Sequence, residues 1–130
     1  MPFESTNWMD ESIDIGTYRG FPVTLPASVL FFGGITKSDL QEMIYKAPTP
    51  ALKQNIINHR EHAGSILTEL NITTNMATQL LINKGEMAYA QGNRSPWAIY
   101  AHKKLNQRLR NGCIIPIIIG SKCTVWFTCR

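Results

Sequence analysis

Apolar and polar residues alternate near the start of the chain, and this alternation is typical of a half-buried β-strand. Ile13 and Ile15 alternate with polar neighbours, and the alternation resumes over residues 21–25. Arg19 and Gly20 lie between these two runs and can turn the chain. The pattern therefore predicts an N-terminal β-hairpin.

A continuous apolar run follows the hairpin, at residues 29–32, and it stops at Gly33 and Gly34. A short apolar run bounded by glycines has no period that distinguishes one kind of element from another. The two interpretations of this run are a buried third strand and a loop.

The centre of the chain carries four amphipathic segments with helix start and stop signals. Capping residues and a first-turn proline mark their starts, and proline or glycine marks their ends. The predicted helices are a short one from Ser38 and Gln41 that ends before Pro48, one over 50–70 that starts at Thr49 and Pro50, one from Thr73 or Thr74 to Lys84 with Gly85 past its end, and one from Ser95 and Pro96 that is closed by Gly112.

The chain ends in two apolar runs on either side of a turn at Gly120, which predict a C-terminal β-hairpin. Strands, about four central helices and strands again indicate an α+β fold, whose terminal hairpins can join one antiparallel sheet. A chain of 130 residues is the usual size of one domain, so a single globular domain over residues 1–130 is expected.

Both faces of the C-terminal hairpin are largely apolar and need to be covered. Pro116 cannot donate to a neighbouring strand and favours an edge position. Residues 113–129 are therefore predicted to contact a second copy of the chain or another protein partner. The alternative is a hairpin covered on both faces by layers of its own domain.

Composition excludes several classes of protein. The chain is 44% hydrophobic and only 17% charged, which is typical of a packed domain rather than a disordered one. The longest apolar run, at residues 113–119, is far shorter than the roughly 20 residues that span a membrane, so no membrane association is expected. The first residues lack the pattern of a secretory signal, and three cysteines form neither a disulfide framework nor a zinc motif, so we expect a cytoplasmic protein.

Charge is unevenly distributed along the chain, whose net charge is +4. Residues 1–65 hold seven acids and five bases, a net charge of −2, and residues 66–130 hold two acids and eight bases, a net charge of +6. An anionic partner for the second half would explain this asymmetry. The alternative is that the two halves neutralise each other within the fold.

The last predicted helix carries four of these eight bases, and Arg94 lies just before it. At about 100° per residue its basic and amide side chains fall on one arc together with a tyrosine, and apolar residues fill the opposite side. Bases contact phosphates and an aromatic ring can stack on an exposed base, so the arc predicts binding of DNA or RNA. The predicted nucleic-acid-binding residues are Arg94, Tyr100, Lys103, Lys104, Gln107, Arg108 and Arg110. A plain solvent-exposed helix face is the alternative interpretation.

Three histidines are the candidates for chemistry. His59 and His62 lie three residues apart on a predicted helix, but no clear third ligand accompanies them, so no metal site is predicted. Together with His102 they could supply the acid and base of a small ribonuclease. No nucleotide-binding glycine loop or nucleophile motif is present in the sequence, and no cofactor is expected.

The sequence thus leads to three ranked hypotheses. The first is a small basic nucleic-acid-binding protein that forms a dimer and is not an enzyme. The second is an inhibitor or accessory factor that binds another protein through the C-terminal hairpin or through aromatic residues such as Trp8, Trp97 and Trp126. The third is a toxin-like ribonuclease that uses the three histidines.

Overall fold

The computed structural model describes residues 8–106 and, as backbone only, residues 114–119 and 122–127. The elements in chain order are a short 3₁₀ turn (Trp8–Asp10), β1 (Ser12–Tyr18), β2 (Phe21–Pro26), α1 (Ala27–Gly34), α2 (Lys37–Lys46), α3 (Pro50–Glu69), α4 (Thr74–Ala90), α5 (Pro96–Asn106), β3 (Ile114–Ile119) and β4 (Lys122–Phe127). The predicted α+β class is confirmed, with an N-terminal hairpin and five helices in the part of the chain that is described.

The N-terminal hairpin forms where the alternation predicted it. β1 and β2 pair antiparallel, and Ile13 lies opposite Leu25. Arg19 and Gly20 connect the strands with positive φ angles of 54° and 86°. This conformation at both central residues gives a two-residue turn whose twist matches the strands. Ile13 and Leu25 are buried, so the alternating apolar face of the hairpin packs on the core.

The apolar run at residues 29–32 is neither a strand nor a loop, because it lies within helix α1. All residues of α1 except the half-buried Ser28 are apolar or glycine and are buried, so no amphipathic period marks the helix in the sequence. Gly33 and Gly34 lie inside α1, and a Cβ atom at Gly34 would be 2.7 Å from the carbonyl oxygen of Ala77. The glycines therefore allow neighbouring helices to approach α1 closely, and α1 becomes the central element against which α3 and α4 pack.

An aromatic cluster forms the centre of the core around Phe31 of α1. The rings of Trp8, Phe32 and Tyr100 each meet the Phe31 ring edge to face, with centroids 5.6, 5.1 and 5.6 Å away. Such arrangements are the preferred geometry of aromatic pairs. The cluster joins the N-terminal turn, α1 and α5 in one core.

Two cations of α3 stabilise the ends of the preceding helices. Lys53 Nζ donates to the carbonyl oxygen of Ile44 in α2 at 2.8 Å. Arg60 donates to the carbonyl oxygens of Phe32 and Ile35 at the end of α1, at 2.9 and 3.2 Å. The last carbonyl groups of a helix lack partners within it, and cations there also complement the helix dipole. Lys53 and Arg60 are thus used inside the fold.

Side-chain caps confirm two helix starts and correct a third. The hydroxyl oxygens of Thr49 and Thr73 accept hydrogen bonds from the first turns of α3 and α4, as the sequence predicted. Helix α2 begins two residues earlier than expected, because Thr36 rather than Ser38 is its N-cap and accepts the backbone N–H of Asp39. Either hydroxyl is a good N-cap, and only the path of the chain from α1 decides between them.

Gly85 does not end its helix, because α4 continues through it to Ala90. Gly85 is buried, and a Cβ atom there would overlap the Cβ of Ala101 and lie 3.1 Å from the carbonyl oxygen of Trp97. The glycine therefore allows close packing of α4 against α5, and the prediction of a helix end at Lys84 is wrong.

The strands β3 and β4 pair antiparallel, from Ile114 opposite Phe127 to Ile119 opposite Lys122. They belong to a two-stranded sheet that is separate from β1 and β2, so the terminal strands do not join one antiparallel sheet. Their side chains lie outside the described residues. The interface of residues 113–129 therefore stays a prediction, and of the C-terminal hairpin only this backbone pairing is described.

Candidate functional site

Tyr100 was predicted to stack on a nucleic-acid base, but its ring is buried at the aromatic core, with 7% of its surface exposed. Its hydroxyl donates to Asp39 Oδ2 at 2.6 Å. Burial and the neighbouring carboxylate both raise the pKa of Tyr100 well above its usual value, so the phenol stays protonated. The ring is thus unavailable for stacking, because α5 turns this edge of its polar arc toward α1 and α2.

Lys104 was predicted to contact phosphates, but its Nζ forms an ion pair with Asp39 Oδ2 at 2.9 Å. An acid of the N-terminal half therefore neutralises part of the basic helix. Lys103 is half-buried on the same helix. The other three predicted contacts, Gln107, Arg108 and Arg110, lie outside the described residues, and their predicted role is untested.

Arg94 and His102 meet on the two sides of one tyrosine. The guanidinium of Arg94 lies 3.7 Å from the centroid of the Tyr89 ring, and the His102 ring stacks on Tyr89 at 3.8 Å with an angle of 6°. Two groups this close to one ring have to occupy its opposite faces. His102 Nδ1 lies 2.8 Å from Glu86 Oε1. The four side chains form one cluster between α4 and the start of α5.

His102 lies in a different part of the fold from His59 and His62, which are both on α3. His59 stacks on Phe32 with centroids 4.9 Å apart, so it packs between α3 and α1, whereas His102 lies between α4 and α5. Burial lowers the pKa of His59 below 6.5, and the neighbouring charge of His62 lowers it further. His62 is exposed on α3. No group of three metal-ligating side chains occurs in the described part of the chain.

A cleft of about 600 Å³ lies between the N-terminal hairpin and α4, and no sequence prediction included it. Its lining residues that the structure describes divide equally into apolar and uncharged polar side chains. The apolar ones are Ile15, Val23, Leu70, Ile72, Met76 and Leu80. The polar ones are Thr17, Tyr18, Asn71, Asn75, Gln79 and Asn83. The lining therefore combines an apolar interior with hydrogen-bonding groups and lacks formal charge.

Polar contacts fix β1 alongside α4 at both ends of the cleft. Glu11 lies just before β1, and Asn93 lies just after the end of α4. Glu11 Oε2 accepts a hydrogen bond from Asn93 Nδ2 at 2.7 Å. At the other end Asn71 Nδ2, just before α4, donates to the hydroxyl of Tyr18 at 3.4 Å. β1 therefore runs antiparallel to α4. Seven strand residues span about 23 Å and seventeen helical residues about 25 Å, so the two elements match in length.

Glu11 connects this end of the cleft to the core. In addition to Asn93, its carboxylate accepts hydrogen bonds from Trp97 Nε1 at 2.9 Å and from Ser95 Oγ at 3.4 Å. Trp97 is buried, so its indole N–H needs this acceptor. One carboxylate thus joins β1 to the connection between α4 and α5.

The face of α4 toward the cleft carries two parallel rows. Asn75, Gln79 and Asn83 repeat every four residues and form an amide row, and Met76 and Leu80 form an apolar row beside it. Residues four apart on a helix lie on one face, so both rows run along the helix axis. The fourfold spacing of amides is visible in the sequence, but the hairpin that converts the face into a cleft wall is not.

Comparison of this chain with protein-family models, with curated proteins and with solved structures gives no match. No helix among residues 8–106 combines the length and apolar character that crossing a bilayer requires. The function is therefore inferred from the site itself.

Proposed function

We propose that this protein binds another polypeptide and that the cleft between β1 and α4 is the binding site. The observation that carries the proposal is the cleft itself: a recess of about 600 Å³ with an apolar interior, an amide row and no charged lining residue among those described. Sites of this size bury ligands through apolar contacts, and a few polar groups fix the orientation. The proposal shares a protein partner with the second of the three hypotheses, but it uses the cleft instead of the C-terminal hairpin or the tryptophans.

One exposed apolar side chain in the cleft lining and another on the hairpin face beside it support a protein partner. Met76 lines the cleft on α4 and is 48% exposed, and Phe21 at the end of β2 is 72% exposed. Side chains alternate along a strand, so Phe21 lies on the same face of the hairpin as Val23, which lines the cleft. Exposed aromatic and methionine side chains beside an apolar recess are typical of protein interaction surfaces.

Nucleic-acid binding is supported less well by the described residues. Phosphate recognition depends on cations, and none is present among the described residues that line the cleft. On α5, Tyr100 is buried and Lys104 is paired with Asp39, which leaves Arg94 as the exposed base of the predicted set within the described range. Binding of a polyanion is therefore treated as an alternative outcome of the test below. The predicted dimer and the cytoplasmic location stay predictions.

The test is selection of peptides from a phage-displayed random heptapeptide library on the immobilised protein. The dissociation constants of resynthesised peptides are then measured by fluorescence anisotropy for the parent protein, Met76→Glu and Met87→Glu. Met87 is 55% exposed on the same helix, eleven residues or about 16 Å further along its axis, and outside the cleft. We expect Met76→Glu to weaken binding about tenfold or more, because it places a charge in an apolar recess, and Met87→Glu to bind like the parent.

Two results would contradict the proposal. One is that the parent protein enriches no peptide sequence. The other is that peptides bind Met76→Glu and the parent equally well, which would locate their site elsewhere. In parallel, a labelled single-stranded oligonucleotide is titrated at two salt concentrations; salt-sensitive binding of the oligonucleotide without peptide binding would favour the nucleic-acid hypothesis instead.

A further inference from the structure

The amide row of α4 has the chemistry of a receptor for a polypeptide main chain. Each of Asn75, Gln79 and Asn83 carries an NH₂ donor group and a carbonyl acceptor. A peptide unit in extended conformation offers one N–H and one C=O of the same kinds. One side-chain amide can thus donate to and accept from the main chain of a bound segment.

The spacing of the row also fits an extended segment. Residues four apart on a helix are separated by about 6.0 Å along the axis, and alternate residues of an extended strand are separated by about 6.6 to 6.8 Å. Successive amides therefore meet alternate residues of the segment with a small mismatch that flexible side chains absorb. From Asn75 to Asn83 the row is about 12 Å long, which corresponds to about four extended residues.

The apolar row and the hairpin determine where the side chains of the segment go. In an extended chain, alternate side chains point to the same side. When the main chain follows the amide row, one set of alternate side chains enters the recess between Leu80 on α4 and Ile15 and Val23 on the hairpin. The other set points toward solvent. A segment with apolar residues at alternate positions satisfies both rows together.

The uncharged lining excludes a charged segment from the recess. A buried charge without a partner is strongly unfavourable, and the described lining supplies no counterion. An uncharged main chain with apolar and uncharged polar side chains matches the cleft in charge and in hydrogen-bonding groups. The segment that fits the cleft is therefore an uncharged one whose main chain can form hydrogen bonds with α4.

We propose that the cleft binds an uncharged, extended polypeptide segment of about four residues, whose main chain pairs with Asn75, Gln79 and Asn83 and whose alternate side chains are apolar. This inference rests on the proposed function, which requires only that the cleft bind a polypeptide. It adds the conformation of the segment, its composition and the groups that recognise it.

The test uses the heptapeptides selected from the phage library, synthesised with free main-chain amides and with alternate amides N-methylated in both possible registers. Dissociation constants are measured against the parent, Gln79→Leu and the control Gln54→Leu, which removes an exposed helical glutamine of α3 outside the cleft. We expect one N-methylated register and Gln79→Leu each to weaken binding about 3- to 10-fold, and Gln54→Leu to have no effect. Thermal unfolding of both variants checks that the fold is retained.

The selected sequences give a second readout. We expect apolar residues at alternate positions and depletion of Asp, Glu, Lys and Arg. If peptides bind at the cleft, as Met76→Glu reports, but neither N-methylated register nor Gln79→Leu changes their affinity, main-chain recognition is wrong and the proposed function stands. If no peptide is selected, the proposed function itself fails. Concentration-dependent self-association that Met76→Glu abolishes would instead make a second copy of the chain the occupant.

Discussion

Replacement of Gly85 by alanine tests whether α4 and α5 pack as closely as the structure requires. Gly85 is buried where α4 meets α5, and an added Cβ would overlap the Cβ of Ala101. The carbonyl oxygen of Trp97 would lie 3.1 Å from the same atom. Gly64 in α3 is a matched control, because it is also inside a helix but has no neighbour within 4 Å of its added Cβ. The two substitutions are chemically identical and differ only in tertiary surroundings.

The two variants should change stability in opposite directions. Alanine is favoured over glycine inside a helix by about 0.5 to 1 kcal/mol, and this gain applies to both sites. Carbon atoms in contact are about 3.5 to 4.0 Å apart, so the new methyl group at Gly85 forces α5 away from α4. Overpacking of this kind costs about 1 to 3 kcal/mol, and the upper end applies because the Cβ of Ala101 cannot rotate away. We expect Gly85→Ala to lose about 2 kcal/mol and Gly64→Ala to gain up to about 1 kcal/mol.

Equilibrium unfolding in urea, followed by circular dichroism at 222 nm, measures both free energies of unfolding. A double variant, Gly85→Ala with Ala101→Gly, moves the methyl group from α5 to α4 and restores the space. We expect it to be more stable than the sum of the two single changes predicts, since the two positions are in contact. If Gly85→Ala is as stable as the parent or more stable, the close approach of α4 and α5 is wrong.

Two further predictions concern single titratable residues. Burial lowers the pKa of His59, so below pH 6.5 the unfolded chain binds a proton that the folded protein does not. The free energy of unfolding should fall as the pH is lowered below 6.5, and His59 should not affect it at higher pH. His59→Phe should make the free energy of unfolding less dependent on pH in this range. An unchanged slope of that free energy against pH would contradict the reasoning. Glu11→Ala removes the carboxylate that accepts hydrogen bonds from Asn93 and from the buried indole N–H of Trp97. In urea unfolding this change should destabilise the protein by about 2 to 3 kcal/mol. The control Glu69→Ala, at an exposed position, should change stability by no more than about 0.5 kcal/mol.

Elements that depend on neighbours in sequence were predicted well. The alternation on either side of Arg19 and Gly20 predicted the hairpin, because the conformation of a two-residue turn is decided by those residues themselves. Thr49 was identified as a helix start, and Thr73 was one of two adjacent candidates, because a capping hydroxyl bonds within its own first turn. Helix α1 was missed because an element buried on all sides carries no period.

The predicted nucleic-acid-binding surface stays a prediction, but two of its residues have partners that the sequence did not reveal. The helical arc on α5 was derived from α5 alone, but Asp39 of α2 lies 61 residues away in sequence from Tyr100 and bonds to its hydroxyl. The same carboxylate pairs with Lys104. The periodicity of a helix predicts which face of that helix carries a side chain. It does not predict which residue of another helix contacts that side chain. The alternative that the two halves neutralise each other therefore holds at this point of the structure.

The sequence by itself determined the class of fold, the N-terminal hairpin and the starts of the long helices, because each depends on hydrogen bonds and conformational preferences within a few residues. Only the tertiary structure decided the central position of α1, the role of Gly85 as a packing site rather than a helix end, and the cleft between β1 and α4. These features depend on contacts between segments far apart in the chain, such as the hydrogen bond that Asn93 donates to Glu11. Such contacts form only when the core brings the segments together.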